Sequence, residues 1–209
     1  MGADGHGEFE VRRDAWHIVF SPNDNDLVAY GVRENGGANI VLHNITSEES
    51  RSILPRNIAT KFSQIYYNFQ WSWDGEYIAF KARPKEGRMV LAVAGTNKDK
   101  PFYQELGPLD GPKRICFRPE SNAVYVSRRM GSDRSRRVYL VDPFADFESD
   151  PEYQLMPEQP VALDNQPCDW SPDGKRLLMV SRAIEEPKST PRVRDDFGVE
   201  RERPVLILD

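Results

Sequence analysis

Aromatic, basic and amide side chains recur in this chain just ahead of four similar short phrases. They are candidates for binding a ligand or peptide at the starts of four inner β-strands: Trp16, His17, Tyr66, Tyr67, Asn68, Lys113, Arg114, Gln166 and Asp169. Around a concave mouth, such groups would supply both apolar contact and hydrogen bonds to a bound molecule. The alternative is that they pack between neighbouring strands, as repeated aromatic residues usually do in repeat proteins.

Patterns for catalysis or metal binding are missing from the sequence. The three histidines, His6, His17 and His43, are not spaced as metal ligands. No Gly-x-Ser-x-Gly elbow occurs, and no carboxylate pair suited to sugar cleavage can be nominated. Cys116 and Cys168 are expected to be two buried thiols rather than a disulfide. We therefore expect no catalytic residues, no metal and no cofactor.

Each of three polar segments could either bind an ion or a partner or be an ordinary turn or loop. Residues 22–26 offer closely spaced oxygens for calcium, but without the order of a calcium loop, which favours a hairpin turn. Residues 128–137 hold five arginines, which suit either a phosphate or acidic partner or a solvated loop. Residues 184–203 form a long interruption that either contacts a partner or is a disordered loop.

The phrase after each group of candidates consists of an aromatic residue, a tight turn and an apolar strand. Its aromatics are Phe20, Trp71, Phe117 and Trp170, which are 51, 46 and 53 residues apart. Periods near fifty residues are typical of propeller blades. Ser, Asp and Gly in the phrase are turn builders, because Asp hydrogen-bonds the local backbone and Gly adopts positive φ. The positions where the copies differ are therefore more informative about binding, and one such position holds His17, Asn68, Arg114 and Pro167.

Further strands follow each phrase and complete a four-stranded unit. The second strands are predicted at 27–30, 77–80, 123–126 and 177–180, the third at 39–43, 89–93, 137–142 and 204–209, and the fourth at 51–54, 102–106 and 153–156. The fourth repeat lacks its own fourth strand. Residues 9–12 are expected to supply it, because this pairing would close the ring and remove an exposed sheet edge.

The sequence thus predicts an all-β protein, a β-propeller of four-stranded antiparallel blades in a single domain over residues 1–209. Four repeats are counted, and the N-terminal strand closes the last one. The blades are expected at about 13–55, 64–107, 111–157 and 164–209, the last completed by the strand at 9–12.

At these phrases the chain resembles the TolB-type, WD-like β-propeller repeat family, which is marked by a Trp-Ser-Pro-Asp-Gly turn before an apolar strand. Residues 170–174 match that turn completely, and residues 71–80 depart from the pattern only at Trp73. The resemblance implies a propeller from residue 9 to 209. Propellers of this family usually have six blades, whereas four repeats are counted here. A small closed ring, part of a longer propeller and two chains sharing one assembly all stay open.

Composition limits the classes of partner. The net charge of −5 argues against broad affinity for nucleic acid or anionic membranes, since both attract basic surfaces. The first residues lack the basic and apolar regions of a signal peptide. As written the chain is expected in the cytoplasm, or in the periplasm or outside the cell if a leader was removed.

The expected function is that of a non-enzymatic scaffold, which binds a protein or peptide through the channel mouth and its loops. This hypothesis expects Trp16 and Tyr67 to be exposed at that mouth. The alternative is a propeller module of a larger enzyme, such as a prolyl-oligopeptidase-like or tricorn-like peptidase, whose catalytic groups would lie elsewhere.

Overall fold

The computed structural model describes residues 12–66, 69–108, 115–119, 121–129, 136–145, 152, 154–156, 159, 163–171, 173–183 and 205–208. Within these ranges the chain consists mainly of β-strands joined antiparallel, with one short helix. The all-β class predicted from the sequence is confirmed.

The first repeat forms one sheet of four antiparallel strands in chain order. The strands are β1 (Trp16–Phe20), β2 (Leu27–Glu34), β3 (Gly37–Asn44) and β4 (Ser50–Ser52). The two middle strands are buried along most of their length. Burial on both faces explains why these strands read as near-continuous apolar runs rather than as alternating patterns.

The second repeat has an interrupted innermost strand. Two short strands, β5 (Phe62–Ile65) and β6 (Gln70–Trp71), both pair with β7 (Tyr77–Pro84). The sheet continues through β8 (Val90–Gly95) and β9 (Tyr103–Pro108). The phrase at Trp71 therefore ends an inner strand that starts much earlier in the chain.

The third and fourth repeats are joined by hydrogen bonds. Their strands are β10 (Ile115–Phe117), β11 (Val124–Arg129), β12 (Arg136–Val141), β13 (Gln154–Leu155), β14 (Leu163–Trp170), β15 (Leu177–Ala183) and β16 (Val205–Leu208). A single parallel pair, Arg136 with Asp164, links β12 to β14. The described strands thus form three hydrogen-bonded sheets instead of four. Residues 9–11 of the expected closing strand lie outside the described residues, so the blade count and ring closure stay predictions.

The apolar core lies in layers between consecutive repeats. Each of the three layers takes buried side chains from both of its repeats, such as Ile40 and Phe80, Leu91 and Phe117, and Tyr125 and Met179. A sheet that is apolar on both faces is stable only when each face is covered. The repeats therefore stack in chain order.

The connection between the first two repeats differs from the prediction. The fourth strand of the first repeat was expected at 51–54, but β4 ends at Ser52. The amide of Asn39 donates to the carbonyl of Leu54 and accepts its N–H, both at 3.1 Å. After Pro55 the chain forms the helix α1 (Arg56–Ala59), which the sequence did not predict.

Helix α1 passes very close to β3. A Cβ atom on Gly37 would lie 2.2 Å from the carbonyl oxygen of Ala59, far inside van der Waals contact. Its neighbour Gly36 has open space around it and a φ of 76° in the hairpin between β2 and β3. The two glycines are thus required for different reasons, a close backbone approach and a left-handed conformation.

Substitution of these adjacent glycines should separate the two requirements. Gly36→Ala is expected to lower the free energy of unfolding by about 1 kcal/mol, because only backbone conformation is strained. Gly37→Ala is expected to cost about 3 kcal/mol or more, because α1 must move. Urea denaturation of the two variants measures both values, and equal costs would contradict the close packing of α1 on β3.

Candidate functional site

The two Ser-x-Asp-Gly turns share one hydrogen-bond pattern. The hydroxyl of Ser72 donates to the Asp74 carboxylate at 2.5 Å and accepts the N–H of Tyr77 at 2.9 Å. The hydroxyl of Ser171 likewise donates to Asp173 at 2.5 Å. The glycine of each turn has positive φ, 72° at position 75 and 69° at position 174. The turn-building role predicted for these residues is confirmed.

Turns of neighbouring repeats are bonded side to side. The amide of Asn23 donates to the carbonyl of Trp73 at 3.0 Å, and the amide of Asn122 donates to the Asp74 carboxylate at 3.1 Å. A Cβ on Gly174 would lie 3.0 Å from that of Pro119, so the last two turns are also in contact. Turns from all four repeats therefore gather at one end of the inner strands.

A cavity of about 210 Å³ lies beside these turns, and all four repeats line it. Each repeat contributes the residue immediately before its phrase aromatic: Val19, Gln70, Cys116 and Asp169. These four positions are equivalent in the repeats, yet they hold an apolar, an amide, a thiol and an acidic side chain. Among the described residues that line the cavity, Asp169 alone carries a charge.

The rest of the cavity wall is aromatic. It consists of Phe69, Trp71, Trp73, Phe117 and Trp170. Phe69 and Phe117 are buried, whereas Trp73 and Asp169 are exposed and lie at the rim. One oxygen of the Asp169 carboxylate accepts the backbone N–H of Trp170 at 2.8 Å. The site thus combines an aromatic wall with one carboxylate open to solvent.

Two indole nitrogens of this wall are buried donors. In the described part of the chain, Nε1 of Trp71 and Nε1 of Trp170 have no hydrogen-bond acceptor. By contrast, Nε1 of Trp16 donates to the carbonyl of Ile65 at 3.1 Å. Buried donors in folded proteins are nearly always paired, but both nitrogens lack accessible surface, so these donors do not open into the cavity.

The candidates from the first repeat lie near the starts of the inner strands and contact their neighbours. Trp16 is half-buried rather than exposed as predicted, because its ring lies against Gly31 and its N–H is bonded. Nε2 of His17 lies 3.3 Å from the carbonyl of Phe69, and the two rings meet edge to face at 4.7 Å. These contacts match the alternative of packing between strands.

The remaining candidates are divided between described and undescribed parts of the chain. The guanidinium of Arg83 lies 5.7 Å from the ring centre of Tyr66, within cation–π range. Asp169 lines the cavity, and it is the one described candidate that does so. Tyr67, Asn68, Lys113 and Arg114 lie outside the described residues, as does the side chain of Gln166.

From the sequence, the aromatic residue of each phrase was assigned to the scaffold, and its position at the cavity was not predicted. Trp71, Phe117 and Trp170 fill the layers between repeats and also line the cavity. The available signal was their position at the ends of inner strands, where strands of all repeats meet around one axis.

The three polar segments have different outcomes. In the segment 22–26, the Asp24 carboxylate accepts the N–H of Asp26 at 2.9 Å, which is the bonding of an ordinary turn. Residues 130–135 and 184–203 lie outside the described residues, so their alternatives stay open. In the described ranges, no group of three His, Cys, Asp or Glu side chains is placed to hold a metal ion. Cys116 is a buried thiol, as expected.

Comparison with known proteins shows the fold. No family model and no curated protein sequence matches the chain. TolB from Acinetobacter baumannii matches with a TM-score of 0.60 and 16% identity, over 88% of this chain and 42% of that one. The β-propeller domain of the Trilobed protease from Pyrococcus furiosus, described as having an open velcro topology, matches with a TM-score of 0.57 and 13% identity, over 94% and 55%.

An acylaminoacyl peptidase from Pyrococcus horikoshii also matches, with a TM-score of 0.54 and 14% identity, over 82% of this chain and 28% of that one. The chain has a TolB-like β-propeller fold, and it spans between 28% and 55% of the length of these three structures. Among the described residues, no helix has the length and apolar character needed to cross a bilayer.

The Asp74 carboxylate ties two repeats together, and its ionisation should affect stability. Burial disfavours the charged form, but hydrogen bonds from Ser72, from the N–H of Glu76 and from Asn122 outweigh it and lower the pKa of Asp74 below 3.8. A lowered pKa means that the folded state favours the carboxylate. The resulting stabilisation is complete above the unfolded pKa and is lost as pH falls through the folded one.

We therefore expect Asp74→Asn to melt below the parent protein at pH 7, with the gap shrinking as the pH falls below about 4. Thermal unfolding followed by circular dichroism across pH 3–7 measures this gap. Glu49→Gln, in the exposed turn between β3 and β4, is the control and should show little gap. A gap for Asp74→Asn that stays constant with pH would contradict the role of the charged form.

Proposed function

We propose that this chain is a non-enzymatic propeller scaffold that binds a protein or peptide partner through a channel mouth and its loops. The mouth proposed here is the cavity beside the turns, at the ends of the inner strands, whereas the sequence predicted it at their starts. The observation that supports it is the cavity built jointly by all four repeats, beside turns that are bonded to one another. Such a concave site with aromatic walls and a few polar groups is the usual form of a binding site.

The turns give this mouth a fixed shape. Each Ser-x-Asp-Gly turn is closed by its own hydrogen bonds, and Asn23 and Asn122 bond neighbouring turns to each other. A preorganised rim loses little conformational entropy when a partner binds. Rim and cavity together therefore favour recognition of a partner rather than chemistry on it.

We further propose that the four repeats are the blades of one domain and that residues 9–12 complete the fourth blade. The stacking of the repeats in chain order supports this arrangement, since each apolar layer joins consecutive repeats. The parallel contact between Arg136 and Asp164 brings the last two repeats together.

A second function is favoured by the comparisons. Several matched structures are peptidases, and this chain spans less than a third of the acylaminoacyl peptidase. The chain would then be a propeller module of a larger peptidase. Reading the complete gene for a hydrolase region with a Gly-x-Ser-x-Gly elbow tests this second function, and finding none would remove it.

Peptide binding at the mouth can be tested by selecting peptides from a random phage-displayed library on the 209-residue chain. Trp73→Ala should weaken the selected peptides by about tenfold, as expected for an aromatic contact at an interface. Phe144→Ala is the matched control, because both side chains are 41% exposed and Phe144 does not line the cavity. Peptides that bind the Trp73→Ala variant and the parent equally would refute a partner site at the mouth.

A further inference from the structure

We propose that the end of the sheets opposite the phrase turns binds an acidic segment of a partner polypeptide. This surface is separate from the cavity beside those turns, so the inference goes beyond the proposed function. It follows from two features of the first two repeats: a segregation of charge between the two ends of their sheets, and a groove bordered by exposed bases at one of these ends.

The end that carries the phrase turns, which we call the turn end, is acidic. Each phrase turn precedes a second strand, so these turns and the connections after the third strands lie at the same end of the sheets. Arg51 belongs to this end because its guanidinium donates to the carbonyl of Thr96. In the first two repeats the turn end holds seven acids and three bases, in residues 21–26, 44–51, 72–76 and 96–101.

The opposite end, which we call the hairpin end, is basic. It consists of the hairpins between second and third strands, the start of β1, and the connection from β4 through α1 to β5. The undescribed residues 67–68 carry no charge. In the first two repeats the hairpin end holds eight bases and four acids, in residues 12–14, 33–36, 56–61, 83–88 and 105.

The remaining repeats do not reverse this excess of bases. The hairpin between β11 and β12 adds Arg128, Arg129, Arg136 and Arg137, with no acid among its described residues. Eight bases and twelve acids occur in the undescribed segments that adjoin the hairpin end in sequence, 1–11, 109–114, 130–135, 157–158 and 184–203. Even if all of these charges are included, bases still outnumber acids at the hairpin end.

A groove of about 590 Å³ lies at the hairpin end of the second repeat. Lys61, Lys85 and Arg88 border it and are exposed. The backbone N–H of Lys85 donates to the carbonyl of Lys61 at 2.8 Å, which holds the hairpin between β7 and β8 against the start of β5. Phe62 and Val90 form the floor and are buried. A ligand would therefore meet the charged heads of the bases and their apolar stems rather than the core.

Two acids in the groove narrow the class of anion. Glu86 and Glu105 also line it, and the Glu105 carboxylate accepts the hydroxyl of Tyr103 at 2.7 Å. Duplex DNA carries one charge about every 1.7 Å along its axis, so it would be repelled by the glutamates wherever it followed the groove. The flat surface of a membrane would not enter a groove. A polypeptide can place separate carboxylates at the bases and uncharged residues at the glutamates, which is the charge complementarity that gives specificity.

The two ends are far enough apart to act on different partners. Strand β2 has eight residues and spans roughly 26 Å. Ions at physiological concentration screen exposed charges over about 8 Å, so the acidic turn end does not cancel the basic hairpin end. Single exposed ion pairs contribute little, but several complementary charges together speed association. The expected interaction is therefore electrostatic and sensitive to salt.

Fluorescence anisotropy with a defined peptide tests this surface. The probe is fluorescein-labelled Gly-Glu-Gly-Glu-Gly-Glu-Gly, and the matched probe has glutamine in place of each glutamate. Both are titrated with the full 209-residue chain at about 50 mM and about 300 mM salt. The double variant Lys85→Gln with Arg88→Gln removes two bases from the groove. The control, Lys98→Gln with Lys100→Gln, removes the same charge from exposed positions at the turn end.

We expect the glutamate probe to bind saturably and the glutamine probe to bind about tenfold more weakly or less. Loss of the Lys85 and Arg88 charges should weaken the glutamate probe about fivefold, as expected for two exposed ion pairs, whereas the control should change it less than about twofold. Raising the salt concentration should weaken binding to the parent. Melting temperatures equal to that of the parent show that the variants are folded.

The other outcomes overturn this inference in distinguishable ways. Equal binding of the two probes, or equal weakening by the control, would refute an acidic site at the hairpin end. Tighter binding of a short DNA duplex or of phosphatidylserine vesicles than of the glutamate probe would overturn the assignment to a polypeptide.

Trp73→Ala separates this surface from the proposed function. Loss of the glutamate probe in this variant, but not in the Lys85 and Arg88 double variant, would move the acidic segment to the cavity and refute the hairpin end as its site. Probe binding that depends on Lys85 and Arg88, together with phage peptides that ignore Trp73, would support the hairpin end and refute a partner site at the mouth.

Discussion

Each of the three described sheets carries apolar side chains on both faces, and water is a poor solvent for both. Each repeat must therefore cover the face of its neighbour, and the phrase aromatic is the side chain that reaches back onto the preceding repeat. Phe117 shows the result, since it is 2% exposed within the layer between the second and third repeats. Phe20 holds the equivalent place in the first repeat and is 62% exposed. Among the described residues, no repeat precedes the first one to cover this side chain.

Stacking also determines where binding chemistry can occur. When sheets are layered around an axis, their innermost strands end together and their turns come into contact. The side-to-side bonds of Asn23 and Asn122 follow from that convergence, as does a cavity shared by four repeats. Trp71 and Trp170 belong to the packing layers and to the cavity wall at once. Core and site are therefore not separate regions of this protein.

Local chemistry made much of the fold predictable. The serine, aspartate and glycine at residues 72–75 form the expected turn because every bond they need lies within a few residues. The Asn35–Gly36 hairpin, with both residues at positive φ, is equally local, and the Asn-Gly pair is a sequence signal that predicts such a turn. The predicted second strands lie within β2, β7, β11 and β15 apart from one residue, since apolar runs between such turns have few alternatives.

Features set by distant parts of the chain were not predictable. Trp16 is held by a carbonyl 49 residues away, and His17 adopts a φ of 53° where β1 changes register against β2. For the same reason the candidate site was only partly found. Asp169 was among the predicted residues, but the tryptophans beside it were assigned to the scaffold. The sequence alone does not show that a repeated aromatic residue contacts both the core and a cavity.

The wall of the cavity has a consequence for how such proteins diversify. Each repeat brings one wall residue, Val19, Gln70, Cys116 or Asp169, carried on the same strand as its turn and its packing aromatic. Duplication or exchange of a whole repeat would thus transplant a wall residue together with the elements that position it. The chemical character of the pocket can change by shuffling units or by single replacements at one repeated position, while the stack that supports it is inherited unchanged.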